Sequence, residues 1–116
     1  LGRTVANRFL FSQKIERSFM NIPQLLNLAL LIQGIGGKIA KQSKNRIVYH
    51  VTKCGPWEKE KTAFGPKAVQ FGESYLRNAS ARFFKGISEA VDKEITCSLA
   101  NAICAGDDIC KIIFEK

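Results

Sequence analysis

The stretch that decides the fold is the C-terminal sequence Ala102-Ile-Cys-Ala-Gly-Asp-Asp-Ile-Cys-Lys-Ile-Ile-Phe-Glu-Lys116. An apolar run reaches Gly106 and Asp107, residue types that tolerate the backbone dihedral angles of turns, and alternation of apolar and polar residues then resumes. The pattern predicts a β-hairpin with a turn of about four residues. A cysteine stands on each side of that turn, Cys104 and Cys110. The turn itself needs no cysteine, so both are candidate functional residues.

The segments before this hairpin alternate between helical and strand patterns. In chain order they predict helices over 4–20 and 23–33, strands over 38–42 and 46–53, a charged loop over 58–62, a long helix from Pro66 to Ala90, and strands over 94–105 and 109–115. The glycine-rich sequence Gly34-Ile-Gly-Gly37 ends the second helix, which is apolar almost all round and is expected to be buried. This order predicts an α+β fold: two N-terminal helices, a β-hairpin, a long helix and a C-terminal β-hairpin. Residues 1–116 would form a single ligand-binding-type domain, with helices on one face of an antiparallel sheet.

Two of these segments predict which side chains share a face. Steps of three and four place one apolar stripe on the long helix, consisting of Ala68, Phe71, Tyr75, Ala79, Phe83, Ile87 and Ala90. Alternation along the second strand places Val48, His50, Thr52 and Cys54 on one face, and Ile47, Tyr49 and Val51 on the other. In the last strand, Cys110, Ile112 and Phe114 share a side.

The charge of the chain is +8 and is unevenly distributed. Residues 1–67 hold twelve basic and three acidic residues, whereas residues 68–116 hold six and seven. Because the basic residues are scattered, a solvated surface is the simpler interpretation, and a surface that attracts nucleic acid or acidic membranes is the alternative. The longest apolar run, Leu25–Ile32, is far shorter than a transmembrane helix. Without an export signal, the expectation is a cytoplasmic protein with reduced cysteines.

The cysteines allow several interpretations. Zinc is a candidate cofactor, with Cys54, Cys104 and Cys110 as ligands and His50 or Cys97 in support. Cysteine is also among the commonest core residues, and buried thiols are the simpler interpretation. A disulfide between Cys104 and Cys110 is a third interpretation. A fourth is a catalytic cysteine–histidine pair formed by His50 and Cys54.

Three short motifs carry a resemblance to known families. The sequences Cys54-Gly-Pro-Trp57, Phe83-Phe-Lys-Gly-Ile87 and Gly106-Asp-Asp-Ile-Cys110, in this order of elements, resemble the 4-vinyl-reductase-like, or hydrocarbon-binding, domain. The chain is also similar to the L-2-amino-thiazoline-4-carboxylic acid hydrolase-like family. The resemblance implies an α+β ligand-binding fold related to subunits of a vesicle-tethering complex, often dimerising through helices. It also implies a pocket between helices and sheet and, in some members, zinc held near the last hairpin. Cys110 matches a ligand of those members, whereas Ala102 stands where they have a cysteine.

The leading functional hypothesis is therefore a small domain that binds or senses an apolar or aromatic molecule and forms a homodimer. Its ligand-binding side chains would be Trp57, Phe71, Tyr75 and Phe83, which combine apolar surface with a few polar tips. The alternative is a small hydrolase of a cyclic amide-like substrate. A basic module that binds nucleic acid or a membrane surface is a weaker alternative, because no nucleic-acid-binding motif accompanies the charge.

Overall fold

The computed structural model describes residues 2–65, 67, 70, 75–103 and 107–116, without the side chains of residues 55, 56 and 60. The described elements are α1 (Gly2–Ser12), a short 3₁₀ turn (Phe19–Asn21), α2 (Ile22–Leu31), β1 (Ile35–Gln42), β2 (Arg46–Cys54), α3 (Gly55–Phe64), α4 (Arg77–Val91), β3 (Thr96–Asn101) and β4 (Cys110–Glu115). Helices and antiparallel strands are combined in this order, so the predicted α+β class is confirmed.

The described strands form an antiparallel sheet in the order β1-β2-β4-β3. The core lies between one face of this sheet and the helices α1, α2 and α4. Tyr49 and Phe114 from the central strands pack there with Leu10, Leu26 and Ile87 from the three helices. Burial of such side chains provides the main stabilisation of a domain of this size.

Helices α1 and α4 approach each other closely through glycines. A Cβ atom at Gly86 would lie 2.7 Å from the backbone nitrogen of Arg3, and one at Gly2 would overlap the backbone of Phe83. Only glycine permits this backbone contact. The contact fixes the position of α4 over the sheet, and with it the position of Phe83.

The first helix is shorter than the predicted 4–20, because α1 ends at Ser12. The N–H of Ile15 donates to the carbonyl of Leu10 (3.1 Å), and Lys14 has a φ of 52°. This is the hydrogen-bond pattern of a Schellman motif, in which glycine usually occupies the left-handed position. A lysine there gives no sequence signal, so the end of the helix was not predictable from composition.

Two further segments differ from the prediction. The charged segment 58–62 belongs to α3, which has a proline in its first turn and anchors itself through the buried Trp57. The glycines after α2 belong to β1, since only Gly34 lies at the helix end, with a φ of +72°. Gly37 lies against the ring of Tyr49, where a Cβ atom would be 2.6 Å from the ring carbon Cε1.

The C-terminal hairpin forms, but its connection is longer than the predicted turn of about four residues. Strand β3 ends at Asn101 rather than Ala105, and residues 102–109 connect it to β4. Asp107 closes this connection: its carboxylate accepts the N–H of Ala102 (2.9 Å), and its own N–H donates to the Ala102 carbonyl (3.1 Å). Cys104 lies outside the described residues.

The helical stripe is also displaced from the predicted one. The described helix α4 begins at Arg77, and Ala68 and Phe71 lie outside the described residues. Phe84, Ile87 and Ala90 are buried, whereas Phe83 is half-buried and Tyr75 is exposed. The buried face is therefore centred one residue after Phe83.

Candidate functional site: an apolar seam and a charged groove

A β-bulge in β2 decides where the cysteines lie. Gly36 pairs with Lys53 and Gly37 with Val51, which leaves Thr52 without a partner on β1. An extra residue reverses the alternation of side chains beyond it. Cys54 consequently packs on the helical side of the sheet, near Trp57, and the prediction that it shares a face with His50 is wrong.

The environment of Cys54 and Cys110 keeps both thiols protonated. Burial raises the pKa of Cys54. A hydrogen bond from the backbone N–H of Trp57 partly offsets this rise, and the negative charge of Glu58 adds to it. Burial likewise raises the pKa of Cys110, although the N–H of Ile103 donates to its Sγ at 3.3 Å. The nucleophilic form of cysteine is the thiolate, so these groups are not activated for catalysis.

The predicted zinc set is only partly accounted for. Cys54 and Cys110 lie close enough for a charge on Cys54 to raise the pKa of Cys110. Cys104, the remaining member of the set, is outside the described residues. Within the described ranges, no three His, Cys, Asp or Glu side chains are grouped to hold a metal ion. Zinc therefore stays a prediction.

The first pocket is a groove of about 640 Å³ at the end of β2, which we call the charged groove. Trp57 lines it together with lysines and carboxylates from β2, α3 and the β3–β4 connection. Its lining residues are Thr52, Lys53, Cys54, Trp57, Glu58, Lys61, Ile103, Asp107 and Asp108. Of the predicted ligand-binding side chains that the structure describes, Trp57 is the one that lies here.

The second pocket is smaller and mostly apolar; we call it the apolar seam. It has a volume of about 200 Å³ and lies where α4 meets the end of α2 and the start of β1. Its lining residues are Leu30, Gln33, Ile35, Leu76, Ala79, Ser80, Phe83 and Phe84. The rings of Phe83 and Phe84 meet edge to face, with centroids 5.7 Å apart. Of the side chains predicted to bind a ligand, Phe83 lies here.

The other predicted ligand-binding residues lie elsewhere. Tyr75 is 61% exposed and borders a separate depression with Arg82, and Phe71 is outside the described residues. The structure therefore places Trp57, Tyr75 and Phe83 at three different sites. Leu30 and Ile35, which line the seam, were missed as site residues because an apolar residue in a helix or strand gives the same signal whether it borders a pocket or the core.

A third feature is an apolar surface formed by Val5, Phe9, Phe11 and Ile32, which we call the α1–α2 surface. Phe11 is 87% exposed and Ile32 is 67% exposed, although the sequence predicted the second helix to be buried all round. Exposed aromatic and branched side chains in one patch are typical of a surface that contacts another molecule. In the part of the chain that the structure describes, no helix is both long and apolar enough to cross a membrane.

Comparisons with known proteins bear on the fold. No family model and no curated protein matches the chain. Among solved structures, the chain is similar to the crystal structure of trafficking protein particle complex subunit 3 from Naegleria fowleri, covalently bound to palmitic acid. The TM-score is 0.66 at 14% identity, over 98% of this chain and 72% of that one. The two chains share a fold.

Proposed function

We propose that this domain binds one end of a linear apolar molecule, such as the alkyl chain of a fatty acid, in the apolar seam. The observation that carries the proposal is the lining of the seam. Leu30, Ile35 and Phe83 supply apolar surface from three different elements, and Gln33 and Ser80 add polar groups. Small-molecule sites combine a largely apolar lining with a few polar groups in this way.

The volume of the seam favours a narrow ligand. At about 200 Å³ it is smaller than the roughly 300–1,000 Å³ of pockets that enclose drug-sized ligands. An alkyl chain can insert part of its length, and each buried methylene contributes about 0.8 kcal/mol. A ring system of several fused rings would need the seam to open. The proposal therefore narrows the expected apolar or aromatic ligand to an alkyl chain.

The similar structure supports the choice of an alkyl chain, because that protein is covalently bound to palmitic acid. In this chain we propose non-covalent binding. The cysteines that the structure describes, Cys54, Cys97 and Cys110, do not line the seam, and burial raises the pKa of each of these thiols, that of Cys97 to about 12. Thiols in this state are poor acceptors of an acyl group.

We further propose that a second copy of the chain covers the α1–α2 surface. Phe11 and Ile32 project from neighbouring helices, so a two-fold axis between them would bring each residue against apolar surface of the partner. Aromatic side chains at the centre of a patch are characteristic of stable subunit contacts. The similar structure is also of a subunit of a complex.

Thermal unfolding in the presence of laurate tests the ligand proposal. A ligand that binds only the folded chain raises the free energy of unfolding by about 2.7 kcal/mol at a hundred times its dissociation constant. Ser80→Phe fills the seam, and Asn78→Phe adds the same ring at an exposed position of α4. We expect laurate to raise the melting temperature of the wild type and of Asn78→Phe but not of Ser80→Phe. An unchanged response in Ser80→Phe would show that the ligand binds elsewhere.

A further inference from the structure

The charged groove contains lysine and aspartate side chains that would not contact an alkyl chain bound in the seam. Lys53 and Lys61 line it from β2 and α3, and Asp107 and Asp108 line it from the connection before β4. Ile103 and the small accessible part of the largely buried Trp57 add apolar surface to the lining. We propose that the groove binds a short peptide in its zwitterionic form. Its carboxylate would lie at the lysines, its ammonium group at the aspartates and an apolar side chain against Ile103 and the accessible edge of Trp57.

Among the described residues, the lysines and aspartates of the groove do not form ion pairs with one another. Among the described residues, an ion pair within 4.0 Å joins Lys116 to Asp92, and none joins Lys53 or Lys61 to the aspartates. Glu58, one turn before Lys61, reduces but does not cancel the positive charge on that side. Opposite charges that share a groove without pairing present a complementary field to a ligand that carries both.

The acidic side of the groove is held in place by the fold. Asp107 forms hydrogen bonds with both the N–H and the carbonyl of Ala102. Ala102 in turn packs against Trp57 in a small buried cluster. These hydrogen bonds therefore tie the Asp107 carboxylate to the buried cluster that contains Trp57. A preorganised site loses less conformational entropy on binding. The volume of about 640 Å³ is within the range of small-molecule sites.

Three related dipeptides test the proposal directly. Leucyl-leucine carries both charges, N-acetyl-leucyl-leucine only the anion, and leucyl-leucine amide only the cation. Trp57 is the sole tryptophan of the sequence, so its fluorescence reports on this groove, and amide NMR shifts of Lys53 and Asp108 provide a second readout. Because exposed charge pairs contribute about 0.2–1 kcal/mol each, we expect leucyl-leucine to bind about two- to fivefold more tightly than either derivative.

Two variants assign the ends of the peptide. Asp108→Asn should weaken binding of leucyl-leucine and of the amide about two- to fivefold while leaving the N-acetyl compound unchanged. Lys61→Gln should weaken binding of leucyl-leucine and of the N-acetyl compound by a similar factor while leaving the amide unchanged. Both positions are exposed, so the fold should be retained; Lys93→Gln, outside the groove, is the control. Equal affinities for the three compounds, or no saturable change with leucyl-leucine at millimolar concentrations, would overturn the proposal. Binding of the N-acetyl compound alone would also overturn it, since that result would indicate a simple anion site.

Discussion

His50 and Cys54 lie on opposite faces of the sheet, although both belong to β2 and are four residues apart. The extra residue at Thr52 reverses the side-chain alternation between them. His50 faces outward in a row with Lys38 and Lys111, while Cys54 packs near Trp57. This separation removes the cysteine–histidine pair on which a nucleophilic mechanism would depend. Burial therefore determines the reactivity of the described thiols.

The first prediction concerns the reactivity of Cys97. Burial raises its pKa to about 12, so the thiol form predominates up to strongly alkaline pH. The rate of alkylation should still be rising at about pH 11, where the thiolate fraction of an ordinary thiol has already levelled off. Mass spectrometry of labelled peptides measures each cysteine separately. In the urea-unfolded chain the rate for the same peptide should level off above about pH 10. A plateau at or below that pH in the folded chain would contradict the burial.

The same shift makes a prediction about stability. The folded pKa of Cys97 is above the ordinary value of 9.0, so its contribution is fully present below pH 9 and is lost as the pH rises from 9 towards 12. Cys97→Val cannot titrate. The wild type should therefore lose stability more steeply than Cys97→Val over that interval, as measured by urea unfolding. Parallel curves for the two proteins would refute the prediction.

A pair of glycine variants tests the contact between β1 and β2. Alanine at position 37 would place its Cβ atom 2.6 Å from the Tyr49 ring and 2.8 Å from the His50 carbonyl oxygen. Because that carbonyl belongs to the central strand, the clash cannot be relieved by a side chain alone, and we expect a loss of about 1–3 kcal/mol. Gly36→Ala is the control, since its Cβ atom would be at an ordinary 3.7 Å from Lys53. Equal unfolding midpoints for the two variants would contradict this packing.

Asp107 provides a test of the hairpin connection. Asp107→Ala leaves the N–H of the fully buried Ala102 without its acceptor, which should cost about 1–3 kcal/mol. Asp108→Ala, at the next and exposed position, should change the free energy of unfolding by less than about 0.5 kcal/mol. Urea unfolding of both variants distinguishes a structural aspartate from a surface one. Similar losses at the two positions would show that Asp107 does not close the connection.

The α1–α2 surface predicts the oligomeric state. If a second copy covers it, sedimentation should give twice the 12.9 kDa mass of the chain. Phe11→Glu would bury a charge in the contact and should produce the monomer with an unchanged circular dichroism spectrum. Phe64→Glu makes the same change at an exposed position of α3 and should remain dimeric. A wild-type monomer at millimolar concentration would contradict the proposal.

Much of the fold was predictable because alternation and helical periodicity follow directly from burial. The faces of β4 are as predicted: Ile112 and Phe114 are buried, and Cys110 lies on the same side. Two of the exceptions are places where one residue changes the backbone. Lys14 ends a helix in a conformation that usually requires glycine, and Thr52 shifts the register of a strand, neither with a local signal.

The candidate sites were less predictable than the fold. Phe83 was proposed because aromatic residues at helical spacing are visible in the sequence, and it lines the seam. Its neighbours Leu30 and Ile35 come from α2 and β1. The periodicity within each element does not indicate how α2 and β1 pack against α4. The charged groove likewise depends on the bulge at Thr52 and on the long connection around Asp107. Sites of this kind depend on tertiary contacts rather than on local pattern.

The most direct test of the central proposal is to locate a bound fatty acid that carries a nitroxide near the end of its alkyl chain. Methyl NMR signals should broaden most strongly at Leu30 and Ile35, which line the seam, and least at Ile113, which lies on the outer face of the sheet. The Ser80→Phe variant should abolish the selective broadening. Strongest broadening at Ile103 in the charged groove, or uniform broadening that persists in Ser80→Phe, would contradict an alkyl-binding seam.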